Sequence, residues 1–312
     1  MELRIFVEPQ EGASYEQQLL MAKAAESQGF GAFFRSDHLL RINPGSGLPG
    51  PTDSWVTLGA IARETSTIRL GTMVTSATFR LPGPLAVAVA QVDAMSGGRV
   101  EFGLGTGWFE AEHLAYGIPF PPTRERFERL EEQLEILTGL WSAAPGESFE
   151  FSGRHYSLGT GPALPKPLQR PHPPVIVGGL GTRRTPALAA RFAAEFNVPF
   201  ADVQITQARF EGVRDACRAA GREPDELVYS HAITVCCAST QAELEHRAAR
   251  IGRELSELRE NAAAGTPLEV AERLRAYRDA GASRCYLQVI DIDDIDQVAL
   301  IAAEVMPLLD IA

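Results

Sequence analysis

Ser36-Asp37-His38 is a run that could perform acid–base chemistry. A His exchanges its proton near neutral pH, and an adjacent carboxylate can orient the ring or raise its basicity. The plainer alternative is an Asp that caps a helix beside a surface imidazole. A second group is Gly178-Gly179-Leu180-Gly181-Thr182-Arg183-Arg184-Thr185. Glycines here let backbone N–H groups approach an anion, and Arg184 and Thr185 add donors suited to a phosphate. The segment is neither a Walker loop nor the dinucleotide G-x-G-x-x-G, and glycines also serve simply to turn a chain. A third group is Gly103-Leu104-Gly105-Thr106-Gly107, followed by Trp108 and Phe109. Its glycines expose backbone or allow close strand packing, and the two aromatic rings could wall an apolar pocket. Glu110, Glu112 and His113 come next. With no further ligands near them they read as solvated charges, so no metal site is expected. A nucleophile elbow and a His-Glu-x-x-His pair are both absent from the sequence.

These groups need a scaffold, and the chain alternates strand-like and helix-like segments from end to end. An apolar run at 3–8 precedes an amphipathic stretch at 14–29. Ala32-Phe33-Phe34 precedes a Gly/Pro-rich loop at 43–52 and a helix that Asp53 caps. Ile68 to Val74 reads as a third strand with a helix over 84–95 after it, and Val100 to Leu104 as a fourth with a long helix over Arg124 to Trp141. Four more strands are expected at 175–177, 195–198, 228–235 and 285–289, with a closing helix near 294–309. Eight strands alternating with helices predict a parallel sheet, and eight is the number that closes a barrel; an open doubly wound sheet is the alternative. Two stretches exceed a minimal barrel. One is 143–173, with a hairpin-like alternation at 149–156, and the other is 238–265, which reads as extra helix. Neither has the apolar content for its own core, so residues 1–312 are expected to form a single (β/α)₈ TIM-barrel domain with two insertions.

In such a barrel the site lies at the carboxyl ends of the strands. Glu8 and Gln10, Ser36 to His38, Thr75, Ser76 and Thr78, Thr106 to Trp108 and the Gly178–Thr185 segment all fall there. Polar and glycine residues therefore gather on one face, which a barrel of purely structural role does not require.

The bulk properties exclude several classes. With 45% apolar and 22% charged residues the 312-residue chain is ordinary globular protein. A net charge of −11 disfavours nucleic acid and anionic membrane surfaces as partners. Met1 is followed directly by strand-like sequence, and no apolar run approaches the roughly 20 residues of a membrane span, so neither leader nor anchor is expected. Cys217, Cys236, Cys237 and Cys285 lack metal or redox spacing and read as reduced, buried thiols of a cytoplasmic protein.

Several motifs occur together and in order: Arg35-Ser36-Asp37-His38, Arg69 to Thr75, Thr78-Phe79-Arg80, Gly97-Gly98-Arg99-Val100, Gly105-Thr106-Gly107-Trp108, and Gly178-Gly179 leading to Ala189-Ala190-Arg191. Over nearly the whole chain this pattern resembles the luciferase-like monooxygenase superfamily, and more narrowly its F420-dependent oxidoreductases. The resemblance implies coenzyme F420 at the barrel mouth, with Asp37, Met73, Val74, Thr75, Thr106 and Gly107 around the ring. The phosphate tail would lie on Gly178, Gly179, Gly181, Arg184 and Thr185. It further implies a non-prolyl cis peptide at Met73–Val74, catalytic roles for His38 and Asp37, and a substrate pocket including Glu8, Trp108 and Phe109. His38 would exchange a proton with a small-molecule substrate while the deazaflavin exchanges a hydride, in either direction. Relatives that oxidise sugar phosphates carry a Glu directly after Gly-Thr-Gly and a Trp shortly after the His; Trp108 and Pro44 occupy those places, so a sugar phosphate is not the expected substrate. An FMN-dependent monooxygenase of the same superfamily and a flavin-binding barrel without catalysis are the alternatives. Relatives are often homodimers.

Overall fold

The computed structural model describes residues 1–310. Eight parallel strands close into a barrel. They are β1 Glu2–Val7, β2 Ala32–Arg35, β3 Arg69–Thr72, β4 Val100–Gly105, β5 Val175–Gly178, β6 Glu195–Pro199, β7 Val228–Cys237 and β8 Arg284–Gln288. Each pairs with its sequence neighbour, and β8 returns to β1 with Leu3 opposite Cys285 and Ile5 opposite Leu287. Closure leaves no edge in the ring, which removes the open-sheet alternative.

Helices alternate with the strands: α1 Tyr15–Ser27, α2 Ser54–Glu64, α3 Pro82–Ser96, α4 Thr123–Ser142, α5 Arg184–Phe192, α6 Val203–Ala219 and α7 Pro267–Asp279. A last helix runs from Ile295 through a π turn at Ile301–Val305 to Asp310. Local sequence sets several starts. Ser14 and Gln17 form a capping box on α1, and Thr266 and Glu269 form another on α7. Asp53 caps α2 as expected, accepting from the N–H groups of Trp55 and Val56 at 2.9 and 3.0 Å. The first insertion contains the expected hairpin, Phe149–Ser152 with Ser157–Gly161. The second holds two short helices, Gln241–Arg250 and Leu255–Asn261, and a strand at Ala263–Gly265 that pairs with the end of β7.

Strand periodicity divides the side chains into two sets. Leu3, Ile5 and Val7 face the helices and join the large outer core. Phe6 alternates with them and meets Ala32, Phe34, Ile176, Ala232 and Tyr286 inside the barrel, with Met73 against that layer. Below this apolar layer lies a buried ionic one. Arg4, fully enclosed, contacts Glu101 and donates to Tyr286 Oη at 3.0 Å. Arg69 also reaches Glu101, and Arg284 pairs with Glu195 at 2.6 Å. The charges compensate one another, as buried charges must. The barrel is thus plugged at the amino end of its strands and open at the other.

Candidate active site

The third strand does not run unbroken to Val74 as its apolar sequence predicts. It stops at Thr72, passes through a non-prolyl cis peptide at Met73–Val74, and resumes as Thr75–Ser76 beside Leu104 and Gly105. The interruption shifts the alternation by one residue. Both Met73 and Val74 therefore line the barrel mouth, as does Ser76. Thr75 is turned the other way: its hydroxyl accepts from Trp55 Nε1 at 3.2 Å and donates to Thr72 Oγ1 at 3.1 Å, fully buried under α2. Of Thr75, expected beside the ring, only the backbone is therefore left to face the mouth. The glycines of β4 accommodate the same feature. A Cβ on Gly103 would lie 2.1 Å from Thr72 O, and one on Gly105 would lie 2.8 Å from Val74.

The mouth holds a cavity of about 430 Å³, within the range of about 300–1,000 Å³ usual for cofactor sites. Glu8, Asp37, His38, Met73, Val74, Thr106, Gly107, Trp108, Gly178 and Gly179 all line it. A second space of about 240 Å³ adjoins it through Thr106, Gly178 and Gly179 and is lined by Gly181 and Thr185. The sequence-predicted residues from β1 to β5 are thus brought together, with two exceptions besides Thr75. Arg184 is exposed and donates to Arg124 O at 2.9 Å, turned from the loop it was expected to serve. Phe109 stacks on Trp108 at 5.3 Å between centroids and supports that ring from outside the cavity.

His38 is the best-defined polar group. Its ring is 17% exposed, and Nδ1 lies 3.0 and 3.1 Å from the two carboxylate oxygens of Glu112. A carboxylate there accepts, so Nδ1 carries the proton and Nε2 is left for other work. Burial disfavours the charged ring, but the hydrogen bond and charge of Glu112, with the charges of Glu8 and Asp37, outweigh it and hold the His38 pKa above its ordinary value. Glu112 also accepts from the Leu39 N–H at 2.9 Å, which fixes the chain after β2. The expectation that Glu112 and His113 are solvated charges is therefore corrected. Both sit on the short helix Glu110–Ala115, whose inward face packs on the mouth, and both are buried. Sequence offered one clue: positions 112 and 113 share a helix face with Phe109, which an apolar mouth can cover.

The carboxylate that orients His38 is Glu112, and Asp37 has a different set of partners. Asp37 is nearly enclosed and is gripped by Arg80, which also holds Asp53 at 2.7 Å. Glu8 faces His38 from β1, and burial raises its carboxyl pKa against the opposing charge of His38. Gln288 donates to Glu8 at 2.7 Å. Trp108 presents its edge to His38 at 5.7 Å and is 62% exposed. Phe200, which sequence reasoning did not single out, lines the same cavity 51% exposed, with its backbone in the left-handed region at φ 48°. No Lys or Arg is among the described residues that line this space.

Solved structures and known sequences resemble this chain. The monooxygenase RslO1 from Streptomyces bottropensis superposes with a TM-score of 0.82 at 26% identity, covering 98% of this chain and 99% of that one. An F420-dependent glucose-6-phosphate dehydrogenase of Nakamurella multipartita is 33% identical over 210 residues, 66% of this chain and 59% of its own length. An FMNH(2)-dependent dimethylsulfone monooxygenase of Pseudomonas putida is 29% identical over 206 residues, 64% of this chain and 53% of its own. The chain thus spans little more than half of these two relatives. The sequence profile of the luciferase-like monooxygenases matches residues 1–256. With that match over most of its length and a closed eight-stranded barrel, the chain belongs to the luciferase-like monooxygenase family.

Proposed function

We propose that this oxidoreductase uses coenzyme F420 and exchanges a hydride with a small organic substrate other than a sugar phosphate. The observation that carries the reading is the His38–Glu112 pair on a cavity whose glycine-rich walls leave backbone exposed. A half-buried His with one nitrogen tied to a carboxylate and the other free is a proton donor or acceptor of defined direction. The residues present fit a flat ring. Gly107 and Gly178 leave room that a Cβ would close against Ser76 at 2.3 Å and Asn197 O at 2.8 Å, and Met73 and Val74 supply an apolar wall.

Bound F420 supplies the hydride or accepts it. Residues of the chain do the rest. Gly178, Gly179, Gly181 and Thr185 would hold the anionic tail at the start of α5. Asp37, kept in place by Arg80, would present a fixed carboxylate to the ring. His38 gives its Nε2 proton to the substrate during reduction, or takes one during oxidation, while Glu112 keeps the ring oriented. Trp108 and Phe200 would supply apolar contacts for the substrate beside that transfer. A substrate phosphate is disfavoured because the cavity offers Glu8, Asp37 and Glu112, and neither Lys nor Arg is among the described residues that line it.

Purification from a host that makes F420 tests the reading. Co-purifying deazaflavin fluorescence, and oxidation of reduced F420 with a panel of enones, are the expected results. Bound FMN with oxygen consumption would instead establish the second reading, which the dimethylsulfone monooxygenase relative favours. Turnover by His38→Ala at the wild-type rate would remove His38 as the acid.

A further inference from the structure

The helix Glu110–Ala115 fixes a second group in the cavity besides His38. His113, fully buried, lies between Phe79 and Phe120 at 5.1 and 4.6 Å from their ring centroids. Its Nδ1 is 2.7 Å from Phe109 O, its Nε2 is 2.6 Å from Thr78 Oγ1, and Thr78 Oγ1 is 2.6 Å from Ser76 Oγ. Proton counting gives this chain one direction. A backbone carbonyl only accepts, so Nδ1 carries the proton and Nε2 of the neutral ring is an acceptor. The Thr78 hydroxyl must then donate to Nε2. Its single proton is spent, so Ser76 donates to Thr78. Ser76, which lines the cavity, is left with lone pairs alone for whatever occupies it.

From this we infer that Ser76 is an obligate hydrogen-bond acceptor, set by Thr78 and His113, and that it holds the imide N–H of the cofactor's pyrimidine ring. The inference rests on the proposed use of F420, or on the FMN alternative, since both rings carry that imide. In an oxidised flavin or deazaflavin the carbonyl oxygens and the unsubstituted ring nitrogen can only accept. The imide N–H is the donor on the pyrimidine edge, and an acceptor-only serine can pair with nothing else there. Gly107 belongs to the same device: at φ 77° a Cβ on it would press on Ser76 Oγ at 2.3 Å and on Thr78 Oγ1 at 3.0 Å. His113 and Thr78 are positioning residues, acting through Ser76.

Binding of oxidised F420 and FMN, each compared with its imide-N-methylated analogue by fluorescence titration, tests the assignment. Wild type is expected to bind the methylated ring about tenfold more weakly, the cost of one unmade hydrogen bond in a closed site. In Ser76→Ala that ratio falls to near one. Thr78→Val lowers the ratio by freeing Ser76 to turn its proton inward, and Thr78→Ser restores it. Nitrogen-15 NMR of the cofactor-free protein supplies a reading independent of any ligand, with His113 expected as the Nδ1–H tautomer. An Nε2–H tautomer, or equal binding of parent and methylated rings by wild type, overturns the inference while leaving the cofactor reading intact. Failure to bind either parent ring refutes both.

Discussion

Glu112→Gln isolates the electrostatic half of the His38 pair while nearly preserving its shape. The glutamine oxygen can still accept from Nδ1, but the negative charge 3.0 Å from the ring is gone. A hydrogen bond to a charged group contributes about 1.5–3 kcal/mol. At about 1.36 kcal/mol per pKa unit, its loss should bring the His38 pKa down by about one to two units. The ring's 17% exposure admits some water, which places the effect toward the smaller figure. The direction is fixed by linkage. Glu112 raises the pKa, so wild-type His38 keeps its proton to higher pH than an ordinary imidazole does. In substrate reduction, where His38 is the acid, kcat/KM should fall as pH rises through that pKa, and the variant should show the same fall at lower pH. Glu8 and Asp37 also face the ring, so a residual elevation should survive. NMR titration of His38 in the cofactor-free protein measures the shift directly. An unchanged His38 titration in Glu112→Gln would refute the assignment of Glu112 as its governing partner, whatever the variant's activity.

Three further outcomes follow from the packing. Arg80→Met leaves the enclosed Asp37 carboxylate without its cation and should cost about 3 kcal/mol in chemical denaturation; a loss under about 1 kcal/mol would show that Asp37 finds another partner. Phe200→Gly relieves a left-handed backbone that costs an aromatic residue about 1–3 kcal/mol, so the variant should be at least as stable as wild type while binding apolar substrates more weakly. A lower Tm for that variant would mean that Phe200 packing outweighs its strain. Glu101 is desolvated, which alone would raise its carboxyl pKa, but Arg4, Arg69 and Arg284 pull it below the ordinary value. A depressed carboxylate stabilises above its unfolded pKa and loses that contribution as pH falls through the folded one. Wild type should therefore lose stability below pH 4.5, and Glu101→Gln should be less stable at neutral pH with a flatter acid limb. Parallel acid limbs would exclude Glu101 as the group responsible.

The sequence by itself determined the order and kind of the elements. Apolar periodicity of two and of 3.6 residues is a local property, so eight strands and their helices were legible, as was the Asp53 cap, whose partners lie within three residues. Position at strand ends also brought Glu8, Asp37, His38, Gly107, Trp108 and Gly178 to one mouth, because a parallel barrel sends all such ends the same way. Barrel closure came from the tertiary structure, since pairing of β8 with β1 joins residues some 280 positions apart. So did the partner of His38. Glu112 is 74 positions away on a charged run that reads as solvent-facing, and only packing of its short helix on the mouth buries it. Which of Thr75 and Ser76 faces the cavity was likewise undecidable from alternation, because the break at Met73–Val74 resets the period. The chemistry of this site depends on which acidic group meets which ring and which way each hydroxyl points, and those are relations between distant segments that no local pattern encodes.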